Sequence, residues 1–536
     1  MQTRRQFVRR AGVTGAAVLV PQALGPALAG AQSRVPLRGG RFSDGLASGD
    51  PGPRSIALWS RVDEVERAGS VLLEVARDRD FRRVVARRRI ATSAGSNHAV
   101  KARVTGLAPR EQYFYRFATA GEDSPIGRFR TAPAPGSSEP VRFAFFSCAD
   151  YTHGYYNAYE LMAREEDLDF AVNLGDYIYA ESGHSRADGT GVRDDRIGRD
   201  LDGTGGSIRA AVTLADYRAK YSLYRSDASL RRMHASVPVV SIWDDHEVAN
   251  NYAGGAPGGG LPAAQRFATR KTAAYRAFFE NMPLFPSGRS RIYRALRYGR
   301  TLDLLLLDDR QYRADQPCGD PVAAPECPER REPRSFLGDR QLAWLKDELS
   351  SSRAAWKVIG NQTFIMPVKS APDRYAIYDT WQGYLQEREE LVNHIGSRDI
   401  GGVVFATGDF HIFLGADIRP GESVDPATTV ATEFHSGSIT SETLGEGQAG
   451  IVPGANDTNP STDPAIVNLL RGFNPWVDGA DLDHHGYGVA EVTSSEMTVR
   501  FRRLQTIKRR STARLPDLTW RVPLGRPSVK GQNAPA

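Results

Sequence analysis

The sequence predicts a two-part α/β protein, in which an all-β N-terminal domain precedes a larger domain of alternating strands and helices. Short strand-like runs with turn signals between them dominate residues 41–131. Apolar runs separated by helix-like stretches fill residues 139–525. A segment rich in Pro, Gly and Ser, residues 131–138, lies between them and marks the expected domain boundary.

The N-terminal strands are predicted from β-branched and aromatic residues at alternating positions. Several short strands at this spacing favour a sandwich of immunoglobulin or fibronectin type. The four clearest segments are Ser55–Ser60, Ser70–Val75, Ala99–Val104 and Gln112–Phe117.

In the larger domain, six apolar runs end in polar residues. Continuous apolar runs are typical of strands buried on both faces, and ligands in layered α/β folds bind at the carboxyl ends of the strands. We therefore expect the six polar clusters to share one pocket. Their main members are Cys148 and Asp150, Asp176 and Tyr179, Asp245 and His246, Arg310, Asn361, and Asp409 and His411.

Helices are expected between these strands. Residues 214–234 and 263–281 have helical character, and residues 338–349 place Leu342, Leu345 and Leu349 on one face. The Gly-rich segment 253–260 is interpreted as a loop, and the Gly-rich stretch 182–206 as a loop that influences substrate choice.

The N-terminus predicts export. Arg4 and Arg5 precede a short apolar run, residues 11–20, and an A-x-A exit at residues 27–29. This pattern is typical of a signal peptide of the twin-arginine type, residues 1–29, and implies a secreted, periplasmic or cell-wall-associated protein. The apolar run is too short for a stable membrane span, and no second run approaches that length.

The composition indicates the general class of protein but says little about its chemistry. The chain is 40% hydrophobic and 25% charged, which is typical of a soluble globular protein. Its net charge of +6 suits an anionic substrate, but a general Arg bias would give the same value. Of three cysteines, Cys318 and Cys327 could form a disulfide in an oxidising compartment, and metal ligation would explain the remaining Cys148.

Carboxylate, imidazole, phenol and thiol groups in one pocket indicate a metal site, because a cation relieves their mutual repulsion. Phenolate and thiolate together favour a hard, highly charged ion such as Fe(III). Oxygen-rich surroundings for a second ion suit Ca²⁺, Mn²⁺ or Zn²⁺.

The joint motif set resembles the alkaline phosphatase D family of PhoD-like metallophosphoesterases. The resemblance covers essentially the mature chain and extends to the β-rich N-terminal domain and the twin-arginine signal. It implies a core similar to that of purple acid phosphatases, a four-layer α/β/β/α sandwich. The motifs that carry it are Ser147-Cys148-Ala149-Asp150, Gly175-Asp176-Tyr177-Ile178-Tyr179, Trp243-Asp244-Asp245-His246-Glu247 and Gly408-Asp409-Phe410-His411.

The resemblance also implies a ligand set. Asp176 would bridge two metals, and Tyr179 and Cys148 would bind Fe(III). Asp150, Asp245, Asp409 and His411 would complete the metal shells, with Ca²⁺ as the partner ion. Where purple acid phosphatases have an Asn-His pair and paired histidines, this chain has Asp245-His246 and Asp409 with His411, which favours a harder second cation.

The function predicted is hydrolysis of phosphate esters by metal-activated hydroxide, as an alkaline phosphatase or phosphodiesterase. His246 is the candidate for stabilising charge or protonating the leaving oxygen, and Arg310 for clamping a phosphate oxygen, although Asp308 and Asp309 could simply pair with it. Asp244, Glu247, His435 and His484-His485 are interpreted as structural or supporting.

Four alternatives for the substrate or function remain open. The same site could cleave lipid head groups in the manner of a phospholipase D, or act on teichoic acid or nucleic acid. A non-catalytic, exported binding protein is the alternative from another class, but a binding protein has no need of His246 beside a ligand carboxylate.

Overall fold

A computed structural model describes residues 35–183, 191–200, 208–258, 267–288, 290–447 and 464–532. The predicted signal peptide, residues 1–29, lies outside the described residues. So do parts of the two Gly-rich segments, 182–206 and 253–260. Within the described ranges, no helix is long and apolar enough to cross a membrane.

The N-terminal part consists of two small antiparallel sheets, and the four strands predicted there are confirmed. One sheet has the order β1-β2-β5 and the other β4-β3-β6-β7. Apolar side chains from both sheets, such as Leu58 and Tyr115, form a core of their own. The strands are β1 (Leu46–Gly52), β2 (Ser55–Arg61), β3 (Gly69–Ala76), β4 (Val84–Thr92), β5 (Ala99–Thr105), β6 (Gln112–Ala118) and β7 (Gly127–Arg130).

The larger part contains the remaining strands, and the six predicted apolar runs all coincide with strands. The strands are β8 (Val141–Phe146), β9 (Phe170–Asn173), β10 (Glu181–Gly183), β11 (Arg199–Asp200), β12 (Ile208–Ala210), β13 (Val239–Ser241), β14 (Arg294–Tyr298), β15 (Leu302–Leu306), β16 (Ala324–Pro325), β17 (Trp356–Asn361), β18 (Lys369–Ala371), β19 (Arg374–Tyr375), β20 (Val403–Thr407), β21 (Phe413–Ile418), β22 (Ala431–Ser436), β23 (Val477–Asp481), β24 (Gly486–Val492), β25 (Glu496–Arg503), β26 (Leu518–Pro523) and β27 (Lys530–Gln532).

Two seven-stranded mixed sheets form the centre of this part. The first has the order β13-β9-β8-β24-β25-β26-β27, and the second β14-β15-β17-β20-β22-β21-β23. Strands β13, β9 and β8 run parallel, as do β15, β17, β20 and β22. The sheets contact each other through aromatic pairs such as Phe413 and Phe501, whose ring centroids are 4.9 Å apart.

Helices cover these sheets. Leu345 and Leu391 pack with Ile359 and Phe405 of the second sheet. The predicted helical stretch 214–234 forms two helices, because Asp227 interrupts it and caps the second through the backbone N–H of Ser229. The helices are α1 (Asn157–Met162), α2 (Leu214–Arg225), α3 (Ala228–Ser236), α4 (Phe267–Asn281), α5 (Asp339–Ser351), α6 (Leu385–Ser397), α7 (Leu444–Gly447) and α8 (Pro464–Phe473).

The cysteines follow the sequence prediction. Cys318 and Cys327, which are nine residues apart in sequence, form a disulfide that closes the loop between them. Cys148 is buried and has a free thiol. The two parts of the chain contact each other through ion pairs such as that of Asp50 with Arg294, at 2.7 Å.

Candidate metal centre

The predicted site residues follow parallel strands of the two facing sheets. Cys148 follows β8, Asp176 follows β9, and Asp245 follows β13 in the first sheet. Arg310 follows β15 and Asp409 follows β20 in the second. Parallel strands present their carboxyl ends at one edge of a sheet, so the facing edges bring these residues to one place.

Two glycines allow the strand ends to approach closely. Gly175 has a φ of +120°, and a Cβ there would lie 2.4 Å from the Cβ of Asp244. A Cβ at Gly408 would lie 2.9 Å from the Cβ of Ser147, on the other sheet. Because real side chains do not tolerate such distances, only glycine lets these loops pack together.

One set of donors, the mixed-donor group, consists of Cys148, Asp176, Tyr179 and His411. Donor atoms of Cys148, Asp176 and His411 all lie within 4.8 Å of one another. The hydroxyl of Tyr179 lies 3.2 Å from Asp176 Oδ2 and 3.3 Å from His411 Nε2. The sequence spacing of Asp176 and Tyr179 therefore does place both side chains at one point.

A second set, the carboxylate group, consists of Asp244, Asp245 and Asp409, whose oxygens also lie within 4.8 Å of one another. Asp176 joins Asp245 and His246 in a further close group, so it stands between the two sets. Its Oδ1 accepts a hydrogen bond from the backbone N–H of His246 at 3.2 Å.

Asp150 is placed differently from the other predicted ligands. It belongs to none of the close donor groups found among the described residues. Its Oδ1 accepts hydrogen bonds from the backbone N–H and the hydroxyl of Thr152, both at 2.8 Å. Its backbone N–H reaches Ser441 Oγ, which in turn donates to Tyr179 Oη at 2.6 Å. Asp150 thus lies beside the mixed-donor group and contacts it through Ser441.

The ring of His246 stacks on Tyr179, with centroids 4.1 Å apart. Its Nδ1 lies 3.4 Å from Glu181, which also pairs with Arg270. Burial by itself lowers the pKa of His246, but Asp245, Asp176 and Glu181 raise it to about 10. The chain's own carboxylates therefore favour a protonated imidazole at this position.

Arg310 is fully buried. Its Nε pairs with Asp244 and its Nη1 with Asp379 at 2.5 Å. Its Nη2 lies 3.8 Å from Asp245 and 3.9 Å from Asp409, and makes no hydrogen bond to the described residues. The Nη2 atom thus faces Asp245 and Asp409, while Asp244 and Asp379 hold Nε and Nη1 in place.

Further residues support the centre without belonging to either donor group. The carboxylate of Glu247 accepts hydrogen bonds from the backbone N–H groups of Asp176, Tyr177 and Asp244. It thereby joins the ends of β9 and β13, which agrees with the supporting role predicted for it. Glu181 begins the short strand β10, and Asp379, Ser441 and the carbonyl of Glu442, which contacts His411 Nδ1 at 2.6 Å, lie on loops. No sequence pattern marks any of these residues.

Four of the predicted ligands have a left-handed backbone. The φ angles are 59° at Cys148, 54° at Asp176, 76° at Asp409 and 57° at His411. Non-glycine residues rarely adopt this conformation, and it concentrates at functional sites, where the surrounding structure holds it in place. The turn after each strand therefore fixes the direction of the side chain.

The acidic donors resist joint ionisation. Burial and the neighbouring Asp245 raise the pKa of Asp176, and burial raises the pKa of Asp409 to about 8 against the opposing effect of Arg310. Burial and Asp176 also raise the pKa values of Cys148 and Tyr179. Burial tends to raise the pKa of Asp245 as well, but His246 and Arg310 lower it to about 2.

This donor set fits metal ions. Burial lowers the pKa of His411 to about 4, so its imidazole is neutral and able to ligate near neutral pH. Thiol, phenol and carboxyl groups that repel one another's charge lose that penalty when they share a multivalent cation. The mixed-donor group offers sulfur, nitrogen and oxygen, and the carboxylate group offers oxygen alone, which suits two ions of different character.

Comparison with known proteins connects this geometry to a family. A model described as PhoD-like phosphatase matches residues 143–501, and one described as the PhoD-like phosphatase N-terminal domain matches residues 29–133. The chain is 39% identical over 417 residues to alkaline phosphatase D of Bacillus subtilis (strain 168), covering 75% of this chain and 69% of the relative.

Solved structures agree. A structure of PhoD superposes with a TM-score of 0.81 at 33% identity and covers 94% of this chain and 93% of that chain. The purple acid phosphatase PPD1 from yellow lupin (Lupinus luteus) has a TM-score of 0.50 at 11% identity, covering 91% of this chain and 74% of that chain. The second likeness concerns the fold alone.

Proposed function

Because the chain belongs to the PhoD-like phosphatase family, we propose that it is an exported, metal-dependent hydrolase of phosphate mono- and diesters. The observation that carries the proposal is the pair of donor groups on facing strand ends, with Asp176 of the mixed-donor group close to Asp245 of the carboxylate group. A protein that only bound phosphate would not require the imidazole of His246 beside the ligand candidate Asp245.

We assign the mixed-donor group to the harder ion, Fe(III), since a phenolate and a thiolate stabilise high charge. Asp176 would bridge to a second ion, for which Asp245 and Asp409 supply oxygens. Those oxygens favour Ca²⁺, with Mn²⁺ or Zn²⁺ as alternatives. Asp150 would contribute through its contact with the mixed-donor group. The close donor atoms in both groups support this partition.

When bound, two such ions neutralise phosphate charge and lower the pKa of water towards neutrality. The chain's own contribution is positional. His246 is held by stacking on Tyr179 and by its contact with Glu181, which leaves its ring beside Asp245 as a candidate proton donor to the leaving oxygen.

Arg310 would act differently from the clamp that its sequence position suggested. Asp244 and Asp379 occupy Nε and Nη1, so the fork that binds phosphate through two parallel hydrogen bonds is already engaged. We propose that Arg310 balances the carboxylate group, with Nη2 the only part of the guanidinium directed towards Asp245 and Asp409.

The proposal also covers the fold of the two domains and the export of the protein. Two facing seven-stranded sheets with helices packed on them support the four-layer α/β/β/α arrangement over residues 139–525. Two small antiparallel sheets support an immunoglobulin- or fibronectin-like domain over residues 41–131. The arginine pair and apolar run of residues 1–29 support export by the twin-arginine route.

The test is hydrolysis of bis-(4-nitrophenyl) phosphate and 4-nitrophenyl phosphate by the purified protein, before and after chelation, with metals quantified in the same sample. Loss of activity in step with loss of iron and calcium, and recovery when both are returned, would support the proposal. A metal-replete protein that turns over neither ester would favour the exported binding protein instead.

A further inference from the structure

A second cluster of possible ligands lies outside the centre described above. It consists of His153, Glu446 and His485, whose donor atoms lie within 4.8 Å of one another. His153 follows β8, Glu446 lies in the short helix α7, and His485 precedes β24. Both imidazoles are almost fully buried. Three segments remote in sequence therefore direct a nitrogen or oxygen donor to one point.

The spacing of these donors matches a metal coordination shell. His153 Nε2 and His485 Nε2 each lie 3.2 Å from Glu446 Oε2. In a tetrahedral zinc site with bonds of about 2.0–2.1 Å, neighbouring ligand atoms are about 3.3 Å apart. Two edges of such a tetrahedron are thus already at the required length without any movement of the chain.

The hydrogen bonds of His485 place its lone pair towards this point. Ser438 Oγ donates its only proton to the carbonyl of Ser441 at 2.6 Å. Its contact of 2.9 Å with His485 Nδ1 must therefore be one in which the imidazole donates. In the neutral ring, Nε2 then carries the lone pair and faces the carboxylate of Glu446. An outer hydrogen bond that fixes the tautomer in this way is a regular feature of metal-binding histidines.

The cluster already attracts a cation from the chain. Lys508 Nζ lies 3.1 Å from His153 Nε2 and 3.5 Å from Glu446 Oε1. His153 Nε2 cannot both accept a proton from this ammonium and donate one to Glu446. Because the side chain of Lys508 is 24% exposed, it has a path to solvent when another cation takes its place.

We propose that His153, Glu446 and His485 bind a Zn²⁺ ion, with Lys508 as the competing cation. Two imidazole nitrogens and one carboxylate are a set that zinc accepts with a fourth position open to water. The ion would be distinct from those of the mixed-donor and carboxylate groups, and nothing in its assignment requires the phosphoesterase activity.

The position of this ion gives it a structural task. Glu446 and Ser438 stand on either side of the segment that carries Ser441 and Glu442. Ser441 donates to Tyr179 Oη, and the carbonyl of Glu442 contacts His411 Nδ1. An ion that joins Glu446 to His153 and His485 would therefore hold the segment that orients two members of the mixed-donor group.

The experiment is zinc binding to the full-length purified protein, by calorimetric titration and by metal analysis after dialysis against Zn²⁺. We expect wild type to retain one more zinc per chain than His485→Ala or His153→Ala, whatever metals fill the other centre. His394→Ala is the matched control, because its imidazole lies on α6 against Ser350, far from the cluster in sequence and environment. It should bind zinc as wild type does.

Lys508→Met provides a second test, in which zinc binding should become tighter and not weaker. This test does not require that a variant with a buried histidine removed still folds. Removal of an ammonium a few ångströms from the donors should tighten zinc binding by about tenfold or more. If the cluster is only an ionic contact between side chains, Lys508→Met will bind no additional or tighter zinc, and wild type and His485→Ala will have equal zinc content. Either result overturns the proposal.

Discussion

The mixed-donor group and the carboxylate group differ in the source of their positive charge. In the carboxylate group the chain supplies it, because Arg310 is buried against Asp244 and faces Asp245 and Asp409. In the mixed-donor group, burial and nearby acidic groups raise the pKa values of Cys148 and Tyr179, and hydrogen bonds with Ser147 and Ser441 oppose that rise only in part.

The difference teaches that the chain favours ionisation of one member of the carboxylate group, Asp245, without a bound ion, although burial still raises the pKa values of Asp244 and Asp409. Asp245 has a pKa of about 2 from its neighbours alone, whereas a thiolate and a phenolate in the mixed-donor group need a bound cation to form near neutral pH. Loss of metal should therefore disturb the two halves unequally.

The largest expected effect comes from Asp176→Asn, which alters the ligand proposed to bridge the two halves. We expect loss of both ions and turnover of bis-(4-nitrophenyl) phosphate near background, since even changes to outer partners of metal ligands cost 10–100-fold. Metal analysis and initial rates test this. Full retention of both ions would show that Asp176 does not join the halves.

His246→Ala should lower kcat by about 10²–10⁴-fold while both ions remain, because the change removes a proton donor but no donor atom of either group. Rates and metal content are measured on the same preparation, with His394→Ala as the control for loss of an imidazole. Unchanged turnover would remove His246 from the reaction.

Arg310→Met tests through protein stability whether Arg310 supplies the positive charge of the carboxylate group. The variant leaves Asp244 buried without its arginine and Asp379 paired with Arg313 alone, and we expect the free energy of unfolding to fall by about 3–5 kcal/mol. Urea denaturation measures it. Excess Ca²⁺ should restore part of the loss if an ion and Arg310 balance the same carboxylates; no response to calcium would contradict that shared role.

Tyr179→Phe should have the smallest effect, since it removes one donor and leaves the ring that stacks on His246. We expect iron affinity to fall by about 10–100-fold and calcium content to stay constant. A parallel loss of calcium would mean that the two halves are not separate sites. Tyr115→Phe, in the core of the N-terminal part beside Phe129, is the matched tyrosine control.

Much of this centre could be predicted because it lies where pattern is strongest. Apolar runs identify buried strands, and the polar residue after each run is placed by the strand itself, as Asp176 and Asp409 illustrate. Even the spacing of Asp176 and Tyr179 was informative, because three residues of turn suffice to return the phenol to the carboxylate.

The remainder depends on contacts of short segments that have no periodicity. Glu181 reaches the centre from the three-residue strand β10 and Asp379 from a loop, so their contacts with His246 and Arg310 could not be foreseen. The prediction that Arg310 clamps a phosphate oxygen used only its position after a strand. It could not include the pairing with Asp379, which lies 69 residues further along the chain. Asp150 lies beside the mixed-donor group, its metal ligation stays a prediction, and its hydrogen bonds to Thr152 were not evident from the sequence.

The left-handed backbone at four ligand positions has a consequence for engineering. Cys148 and His411 each carry a conformational cost of about 1–2 kcal/mol that glycine would not. Exchanging either for glycine should relieve that strain and offset part of the lost packing, while removing a donor from the mixed-donor group. A stability screen would register only the reduced net cost of such a change and not the lost donor, so a stabilisation programme for this protein needs an activity screen at every round.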